Sequence, residues 1–510
     1  MSAPSRLRGL EYGLAFVALA ALAAASVTVV ARNGWTLYYG DAEAHLNIAR
    51  RILDSRTPGY EQIGTVWLPL PHLLMLPFVG NDALWTSGLA GAIPAALCFV
   101  LAGLFLFSSV RLVCGSASAA FASLAVYALN PNLLYLSSIP MTEPVLLAAF
   151  LGLLWCLLRF RESQSPGWAV AAGFANLAAS LTRYEGWFLI PFATLFIMIY
   201  GGRGRWLAAF LFGLIASLGP LWWLAHNYVF FGDAFYFFDG PWSAKGIYQR
   251  ALDAGMARYP GDHHWPGAIR YYGAAVLRTA AWPAIAMAAA GAPVLFAKRR
   301  SWPFLLLALP PVFYIWSLHS GGTPIFVPEL WPHGYYNTRY GLPALPLLAA
   351  CSGGLVSLCP RRWRGFAALP VAALALAPWL VRRSPDAWIC WKESQVNSTA
   401  RRAWTEAASE VLKRGYRPGA GIIAPFGDVT GVFREAGIPL HETLHEGNGP
   451  AWAAAIANPR FFLHEEWAVA ISGDTLATAI LHCQRAGPRY RLVRAIMEPG
   501  APVIEIYRRD

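Results

Sequence analysis

The residues best suited to chemistry lie just behind the first long apolar segment, at about residues 10–31. Two carboxylates, Asp41 and Glu43, precede His45 and Asn47 at helical spacing. Polar side chains beside a membrane helix are costly and are often functional, and a carboxylate there can serve as a general base toward a hydroxyl group. A structural alternative is that Asp41 is a helix N-cap, with Glu43 favourable in the first turn.

A helix is predicted from Asp41 to about Asp54. Leu46, Ala49 and Leu53 form an apolar stripe along it, a pattern typical of a helix that lies on a membrane surface. We expect such a helix to hold Asp41 at the rim of a cavity.

The rest of the sequence indicates a mainly α, polytopic membrane protein. Its 510 residues are 56% hydrophobic and only 13% charged, and apolar runs of membrane length recur as far as about residue 381. About eleven crossings are predicted, near residues 10–31, 84–110, 117–130, 143–160, 167–181, 186–200, 206–230, 271–297, 302–319, 340–358 and 365–381. The first is too long in its apolar core for a typical signal peptide, which favours an uncleaved signal anchor.

Arginine and lysine residues predict the orientation. Basic clusters occupy alternate loops: Arg111; Arg159 and Arg161; Arg203 and Arg205; Lys298, Arg299 and Arg300; and Arg361, Arg362 and Arg364. The positive-inside rule then gives a cytoplasmic N-terminus. The opposite, extracytoplasmic face receives Asp41, Glu43, Glu143, Arg183, Asp262, His263, His264 and Arg339. The net charge of +12 is therefore a topology signal, and we expect no nucleic-acid partner.

From about Ser384 the composition becomes that of a soluble domain. We therefore predict a transmembrane module over residues 1–383 and a small extracytoplasmic α/β domain over residues 384–510. Within it, strands are expected at 421–424, 438–443 and 461–471, helices at 429–436, 452–458 and 475–486, and a hairpin around 498–501. Cys390 and Cys483 would both face an oxidising compartment, where either a disulfide or free buried thiols are possible.

One segment of this tail, His441-Glu442-Thr443-Leu444-His445, matches the zinc protease pattern H-E-x-x-H. That pattern binds zinc because a helix places both histidines on one face. Pro439 before it and Gly447 after it leave only about two helical turns. A strand or loop with a chance match is therefore the favoured interpretation.

The run from Asp41 to Arg50 resembles the first extracytoplasmic loop of the GT-C membrane glycosyltransferases. It is most similar to the family 39-like branch of protein O-mannosyltransferases and aminoarabinose transferases. It departs from them in having Ala42-Glu43 where many relatives have glutamate directly after the aspartate, and His45 near an aromatic position. Further segments resemble the family in order: 140–144 around Glu143, 181–186 around Arg183, 226–233, and 337–343 around Arg339. The resemblance covers about the first 345 residues.

The resemblance implies an inverting transfer of a sugar from a polyprenyl-phosphate donor. Asp41 would be the general base, and Arg183 and Arg339 would stabilise the departing lipid phosphate. Glu143 would position the acceptor, orient a neighbour or help to hold a divalent metal, with Glu43 as the alternative carboxylate. Without the family, Glu143 is equally explained by the helix dipole, and both arginines by anchoring at the membrane interface.

The remaining candidates are histidines. His45, His72, His263 and His264 are candidates to line the cavity, although His72 also suits a structural position and Asp262-His263-His264 suits a solvated loop. The acceptor is left open among a protein, a lipid and a glycan. The arginine-rich loops favour the cell (inner) membrane as the location, with the endoplasmic reticulum as the alternative. Two other classes are consistent with the composition: a transporter or flippase, and a non-catalytic assembly protein of the cell envelope.

Overall fold

The computed structural model describes residues 5–382, 384–483 and 487–510. The chain divides into two compact units, each assembled from separate stretches of sequence. The helical unit comprises Met1–Arg32, Thr65–Pro71 and Ala92–Glu393. The sheet unit comprises Asn33–Gly64, His72–Gly91 and Ser394–Asp510.

The described residues are mainly helical. The helices are α1 (Ser5–Arg32), α2 (Gly40–Leu53), α3 (Leu70–Val79), α4 (Asp82–Thr86), α5 (Leu89–Cys114), α6 (Ala117–Ala128), α7 (Pro131–Leu136), α8 (Glu143–Ser163), α9 (Pro166–Ser180), α10 (Glu185–Tyr200), α11 (Arg205–Phe231), α12 (Tyr236–Asp239), α13 (Ala244–Asp253), α14 (Trp265–Ala280), α15 (Trp282–Phe296), α16 (Leu309–Ser320), α17 (Leu345–Leu355), α18 (Arg364–Val381), α19 (Ile389–Gly415), α20 (Thr430–Ala436), α21 (Pro450–Ala457), α22 (Pro459–Phe462) and α23 (Thr475–Cys483). Short 3₁₀ helices at Arg299–Ala308 and Thr338–Ala344 precede α16 and α17.

Within the described ranges, seven helices are long and apolar enough to cross a membrane. They are Gly9–Arg32, Leu89–Cys114, Glu143–Ser163, Gly202–Phe231, Arg300–Ser320, Thr338–Leu358 and Arg361–Val381. The other predicted segments are also helical, but α6, α9 and α10 have only 12, 15 and 16 residues. A helix rises about 1.5 Å per residue, so these are shorter than a bilayer core. The multi-pass architecture is confirmed, and eleven crossings stay a prediction.

The predicted span at 271–297 is wrong as a single straight helix. It is divided into α14 and α15, which meet at an angle of 103°. Ala281 at the junction has φ of +64°, outside the helical region. Pro283 follows as one of the first residues of α15. Proline has no N–H to continue the ladder of the preceding helix and fits best in a first turn, so a new helix begins there.

The sheet unit contains a five-stranded mixed sheet in the order β2-β1-β3-β5-β4. The strands are β1 (Ile422–Ile423), β2 (Thr443–Leu444), β3 (Trp467–Ile471), β4 (Tyr490–Ile496) and β5 (Ile504–Arg509). β1 pairs in parallel with β2 and β3, with Ile422 opposite Thr443 and Trp467. The pairs β3–β5 and β4–β5 are antiparallel, which confirms the predicted hairpin.

Two strand predictions for the tail are corrected by this unit. Of the stretch 461–471, only Trp467–Ile471 forms a strand, and its first two residues belong to α22. The stretch 438–443, predicted as a strand, forms mainly a 3₁₀ turn at Leu440–Glu442 before the two-residue strand β2. The 27-residue helix α19 was not predicted at all. The helix closed by Gly437 is confirmed, with this glycine at φ of +72°, where a residue without Cβ is favoured. Of the helix predicted at 475–486, residues 475–483 are helical and 484–486 lie outside the described residues.

The amphipathic stripe of α2 packs inside the sheet unit, contrary to the membrane-surface prediction. Leu46 and Ala49 are fully buried in one apolar core with residues of the C-terminal tail, among them Trp404 and Val432. Only Leu53 keeps an exposed side chain. Burial against protein and burial against lipid select the same apolar pattern, since both remove the stripe from water.

Of the two alternatives that the sequence left open for Cys390 and Cys483, the disulfide is not formed. Both thiols are free and buried, as small apolar side chains often are.

Candidate functional site

A buried charge cluster in the helical unit is built around Glu143, the first residue of α8. Its Oε1 atom accepts hydrogen bonds from Arg339 Nε at 3.0 Å and from Arg183 Nη1 at 3.3 Å. Its Oε2 atom is buried and has no hydrogen-bond partner among the described residues. A buried carboxylate oxygen without a partner is costly. The free oxygen of Glu143 can therefore accept a hydrogen bond from a substrate hydroxyl group or bind a cation.

Arg183 lies in the short turn between α9 and α10, and its guanidinium is almost fully used. Nε donates to Glu185 at 2.8 Å, Nη1 donates to Thr142 at 2.9 Å, and Nη2 donates to the Tyr314 hydroxyl at 3.0 Å. The turn is tight because Gly186 lies against the backbone of α9, where a Cβ would come within 2.3 Å of Ala179. Both the tight turn and these hydrogen bonds therefore hold Arg183 in place.

Arg339 lies at the start of the 3₁₀ helix that leads into α17. Asn337 immediately before this helix has φ of +53°, a conformation that asparagine tolerates better than most residues. Gly341 packs onto α14, where a Cβ would come within 2.6 Å of the Ala275 backbone. Asn337 and Gly341 thus set the backbone conformation that directs the Arg339 side chain toward Glu143.

Glu393, on α19, holds this loop in place. Its carboxylate accepts hydrogen bonds from the backbone N–H of Asn337 at 3.0 Å and of Thr338 at 2.8 Å, and also bonds the Thr338 hydroxyl. Its Oε1 atom is 3.6 Å from Arg339 Nη1. Burial raises the pKa of Glu393, against the lowering influence of Arg339 and of these hydrogen bonds.

Aromatic rings complete the cluster. The Tyr340 ring centroid lies 5.3 Å from both the Arg183 and the Arg339 guanidinium carbons, and it stacks on Tyr314 at 4.6 Å. Cation–π contacts of this kind stabilise guanidinium groups that have left water. The whole cluster contains two arginines and three buried carboxylates, those of Glu143, Glu185 and Glu393. Its formal charge is −1 when all are ionised.

The second cluster belongs to the sheet unit and contains Asp41 and Glu43 on α2. Glu43 is buried and forms ion pairs with two arginines of the tail, Arg401 and, at 3.0 Å, Arg434. Arg401 also donates to the Leu37 carbonyl at 3.0 Å. These contacts fix Glu43 as a cross-link within the unit.

Asp41 has a different environment from Glu43. It is the second residue of α2, whose N-cap is Tyr39, so the N-cap interpretation is wrong. It is only partly buried, which leaves its carboxylate accessible to a substrate. Asp428 lies close to both carboxylates. Although this residue is exposed, desolvation by surrounding atoms raises its pKa, and so do the negative charges of Glu43 and Asp41, whereas the positive charge of Arg401 lowers it.

The histidine candidates fall into two groups. His45 and His72 are buried in the sheet unit and share a hydrogen bond of 3.0 Å between their ring nitrogens, so one ring must donate and the other accept. His263 is exposed and bonds Asp262 at 2.7 Å, whereas His264 caps α14 by accepting from Gly267 N–H at 3.1 Å. His263 and His264 therefore make local structural contacts.

The H-E-x-x-H segment does not form the helix that zinc binding requires. His441 bonds Asp54, and Glu442 accepts from the Tyr416 hydroxyl at 2.6 Å. His445 accepts from Gly447 N–H at 3.0 Å. Among the described residues there is no group of three or more His, Cys, Asp or Glu side chains arranged to hold a metal.

The cluster around Glu143 includes residues that the sequence analysis did not select, among them Glu185, Tyr314 and Glu393. Glu185 directly follows the turn that bears Arg183, and Tyr314 is a hydroxyl inside a predicted span, so both had a visible signal. Glu393 had almost none, because it was assigned to the soluble tail together with the rest of α19.

Comparison with known proteins agrees with this architecture. Residues 84–227 match the family model of dolichyl-phosphate-mannose-protein mannosyltransferases. The fold is similar to two crystal structures of ArnT from Cupriavidus metallidurans. The structure bound to undecaprenyl phosphate has a TM-score of 0.54 at 14% identity, covering 94% of this chain and 97% of ArnT. The apo structure has a TM-score of 0.52 at 13% identity, covering 94% and 96%.

A search of the curated proteins found no match. Residues 84–227 thus match a glycosyltransferase family, and the chain has the fold of ArnT, in agreement with the resemblance that the sequence motifs indicated.

Proposed function

We propose that the protein transfers a sugar, with inversion, from a polyprenyl-phosphate donor to an acceptor on the extracytoplasmic side of the cell membrane. The observation that carries the proposal is the free, buried Oε2 of Glu143 beside two arginines. Such a site can bind a hydroxyl group at the carboxylate and a phosphate at the cations. The undecaprenyl phosphate bound to ArnT, a protein of the same fold, is a ligand of this chemistry.

In this mechanism the acceptor needs a base and the leaving lipid phosphate needs positive charge. Asp41 is our candidate base, because it is only partly buried, whereas its neighbour Glu43 is already neutralised by two arginines. Glu143 would position the acceptor or the donor sugar through Oε2. Arg183 and Arg339 would stabilise the charge that develops on the phosphate, since a guanidinium stays charged and matches phosphate geometry.

A phosphate at the two arginines has to share them with their carboxylate partners. Arg183 has one of its five N–H groups left after its bonds to Glu185, Thr142, Glu143 and Tyr314. The cluster also has one carboxylate in excess, which either a proton or a divalent cation could balance. Metal dependence is therefore a variable of the test below.

The test is sugar transfer by the purified full chain from a panel of radiolabelled undecaprenyl- and dolichyl-phosphate sugars, with and without EDTA. We compare wild type, Asp41→Asn, and the exposed control Glu410→Gln. Asparagine keeps the size and hydrogen-bonding oxygen of Asp41 but cannot take up a proton. We expect Asp41→Asn to lose at least a hundredfold in turnover with unchanged melting temperature, and the control to match wild type.

Full activity of Asp41→Asn would overturn Asp41 as the base. Absence of transfer from every donor would contradict the donor class itself. In that case transport of the same labelled lipids into proteoliposomes would be measured.

A further inference from the structure

The helical unit has a second charged region, at the ends of the spans opposite to Glu143. Glu143 begins α8, and Arg159, Arg161 and Glu162 lie in its last turns. At 1.5 Å per residue, about 30 Å of helix separates the two ends. Whatever binds at the Arg161 end is therefore distinct from a donor phosphate held beside Glu143.

Two neighbouring cavities lie in this region. One, of about 440 Å³, lies between α5, α8 and the 3₁₀ helix before α16, and is lined by Leu112, Val113, Leu158, Arg161, Glu162 and Arg300. The other, of about 420 Å³, is lined by residues of α1, α5, α8 and α9 and by Gly115, and Leu112 borders both. Each volume is within the range of small-molecule sites.

The charges of the two cavities differ in a way that indicates an anion. Of the arginines that line the second cavity, Arg111 is paired with Glu11 at 2.8 Å, and Arg159 is 3.4 Å from Glu162, a carboxylate that lines the first cavity. In the first, neither Arg161 nor Arg300 has a carboxylate partner among the described residues. The Nη1 atom of Arg161 is buried and makes no hydrogen bond to any described group, although its guanidinium lies over the Tyr200 ring at 4.6 Å.

A buried N–H group of a charged side chain costs free energy unless something accepts its hydrogen bond. Leu112, Val113 and Leu158 give the cavity one apolar side, which suits hydrocarbon. In the adjoining cavity, Trp155 and Trp168 add the amphipathic rings that are common at a membrane interface. A phosphate attached to acyl chains satisfies both features at once, since basic pockets between spans bind anionic headgroups.

We propose that Arg161 and Arg300 form a binding site for the phosphate of an anionic phospholipid. The phosphate accepts from Arg161 Nη1 and is neutralised by Arg300, while the acyl chains lie along the apolar wall at Leu112 and Leu158. The site is separate from the transfer reaction, so it does not depend on the proposed function.

The test is a lipid titration of the full chain in detergent, read by native mass spectrometry and by melting temperature. The probes are phosphatidylglycerol, zwitterionic phosphatidylcholine, and inorganic phosphate. The variants are Arg161→Gln, Arg300→Gln and the double substitution. Arg203→Gln is the matched control, because Arg203 is an exposed arginine at the same end of the spans and lines neither cavity.

We expect phosphatidylglycerol to bind more tightly than phosphatidylcholine, and Arg161→Gln to weaken it about tenfold. Arg203→Gln should bind like wild type, and Arg161→Lys should restore part of the affinity, which separates loss of charge from loss of fold. Equal binding of the two lipids, or unchanged binding by the double variant, would overturn the proposal. Stabilisation by inorganic phosphate equal to that by phosphatidylglycerol would also overturn it, in favour of a free-phosphate site.

Discussion

The two carboxylates Glu43 and Glu143 form similar ion pairs but differ in their capacity to bind a ligand. Both are buried and each contacts two arginines. The partners of Glu43 engage both of its oxygens, Arg401 at Oε2 and Arg434 at Oε1. The partners of Glu143 converge on Oε1 alone and leave Oε2 without a bond among the described residues. Saturation of both oxygens favours a structural role, and saturation of one leaves capacity for a ligand.

The largest effect is expected from Glu43→Leu, on stability. Removing this carboxylate leaves Arg401 and Arg434 buried with less compensation, and breaking a buried ion pair from one side costs about 3–5 kcal/mol. The free energy of unfolding, measured by denaturant titration in detergent, should fall by about that amount. Sugar transfer per folded molecule should stay close to wild type. A stable variant that has lost transfer would reverse the roles assigned to the two glutamates.

Glu143→Gln should mainly affect the reaction. In one orientation of its amide, glutamine keeps an oxygen for Arg183. The NH2 group, a donor, then replaces the other acceptor oxygen, Oε2. We expect turnover to fall about a hundredfold, which corresponds to about 2.7 kcal/mol in the barrier. Single-turnover transfer assays measure it, with Glu410→Gln as control. A variant with wild-type turnover would place Glu143 with Glu43 as a structural residue.

Glu393→Gln tests positioning of Arg339 rather than chemistry. The glutamine oxygen can still accept a backbone N–H from the 337–338 loop, but it no longer attracts Arg339. We expect about a tenfold loss in kcat/KM for the lipid donor, or about 1.4 kcal/mol. Glu393→Asp should have a lower kcat/KM than wild type, because the aspartate side chain is one methylene shorter. Equal kinetics for wild type and Glu393→Gln would show that the loop holds Arg339 without this charge.

The last effect develops only as the pH falls and concerns His445 in the sheet unit. Burial, with Arg51 and Arg56 nearby, lowers the pKa of His445 to about 3. Below pH 6.5 the unfolded chain therefore binds a proton that the folded chain does not, so stability falls as the pH falls toward the folded pKa. The slope from this group is at most about 1.4 kcal/mol per pH unit. His445→Gln should flatten the decline of melting temperature between pH 6.5 and 4.5, and an identical profile for the variant would contradict it.

Much of the helical unit was predictable because its causes are local. Length and apolarity identified the spanning segments, and proline positions such as Pro283 reveal breaks when they are read as helix starts. The same holds for Glu143 and Arg183, which lie at ends of helices where polar groups interrupt apolar runs. The helix ending at Gly437 was likewise visible from one residue that tolerates a left-handed conformation.

The sequence by itself determined the class of protein, the approximate spans and most of the charged residues worth testing, since these depend on composition and short-range order. Only the tertiary structure decided what those charges do. The apolar face of α2 packs against the tail, Glu43 is consumed by two arginines more than 350 positions away in the sequence, and Glu393 secures the loop of Arg339. Such partners are chosen by three-dimensional proximity and by the need to pair every buried charge, and neither follows from the spacing of residues along the chain.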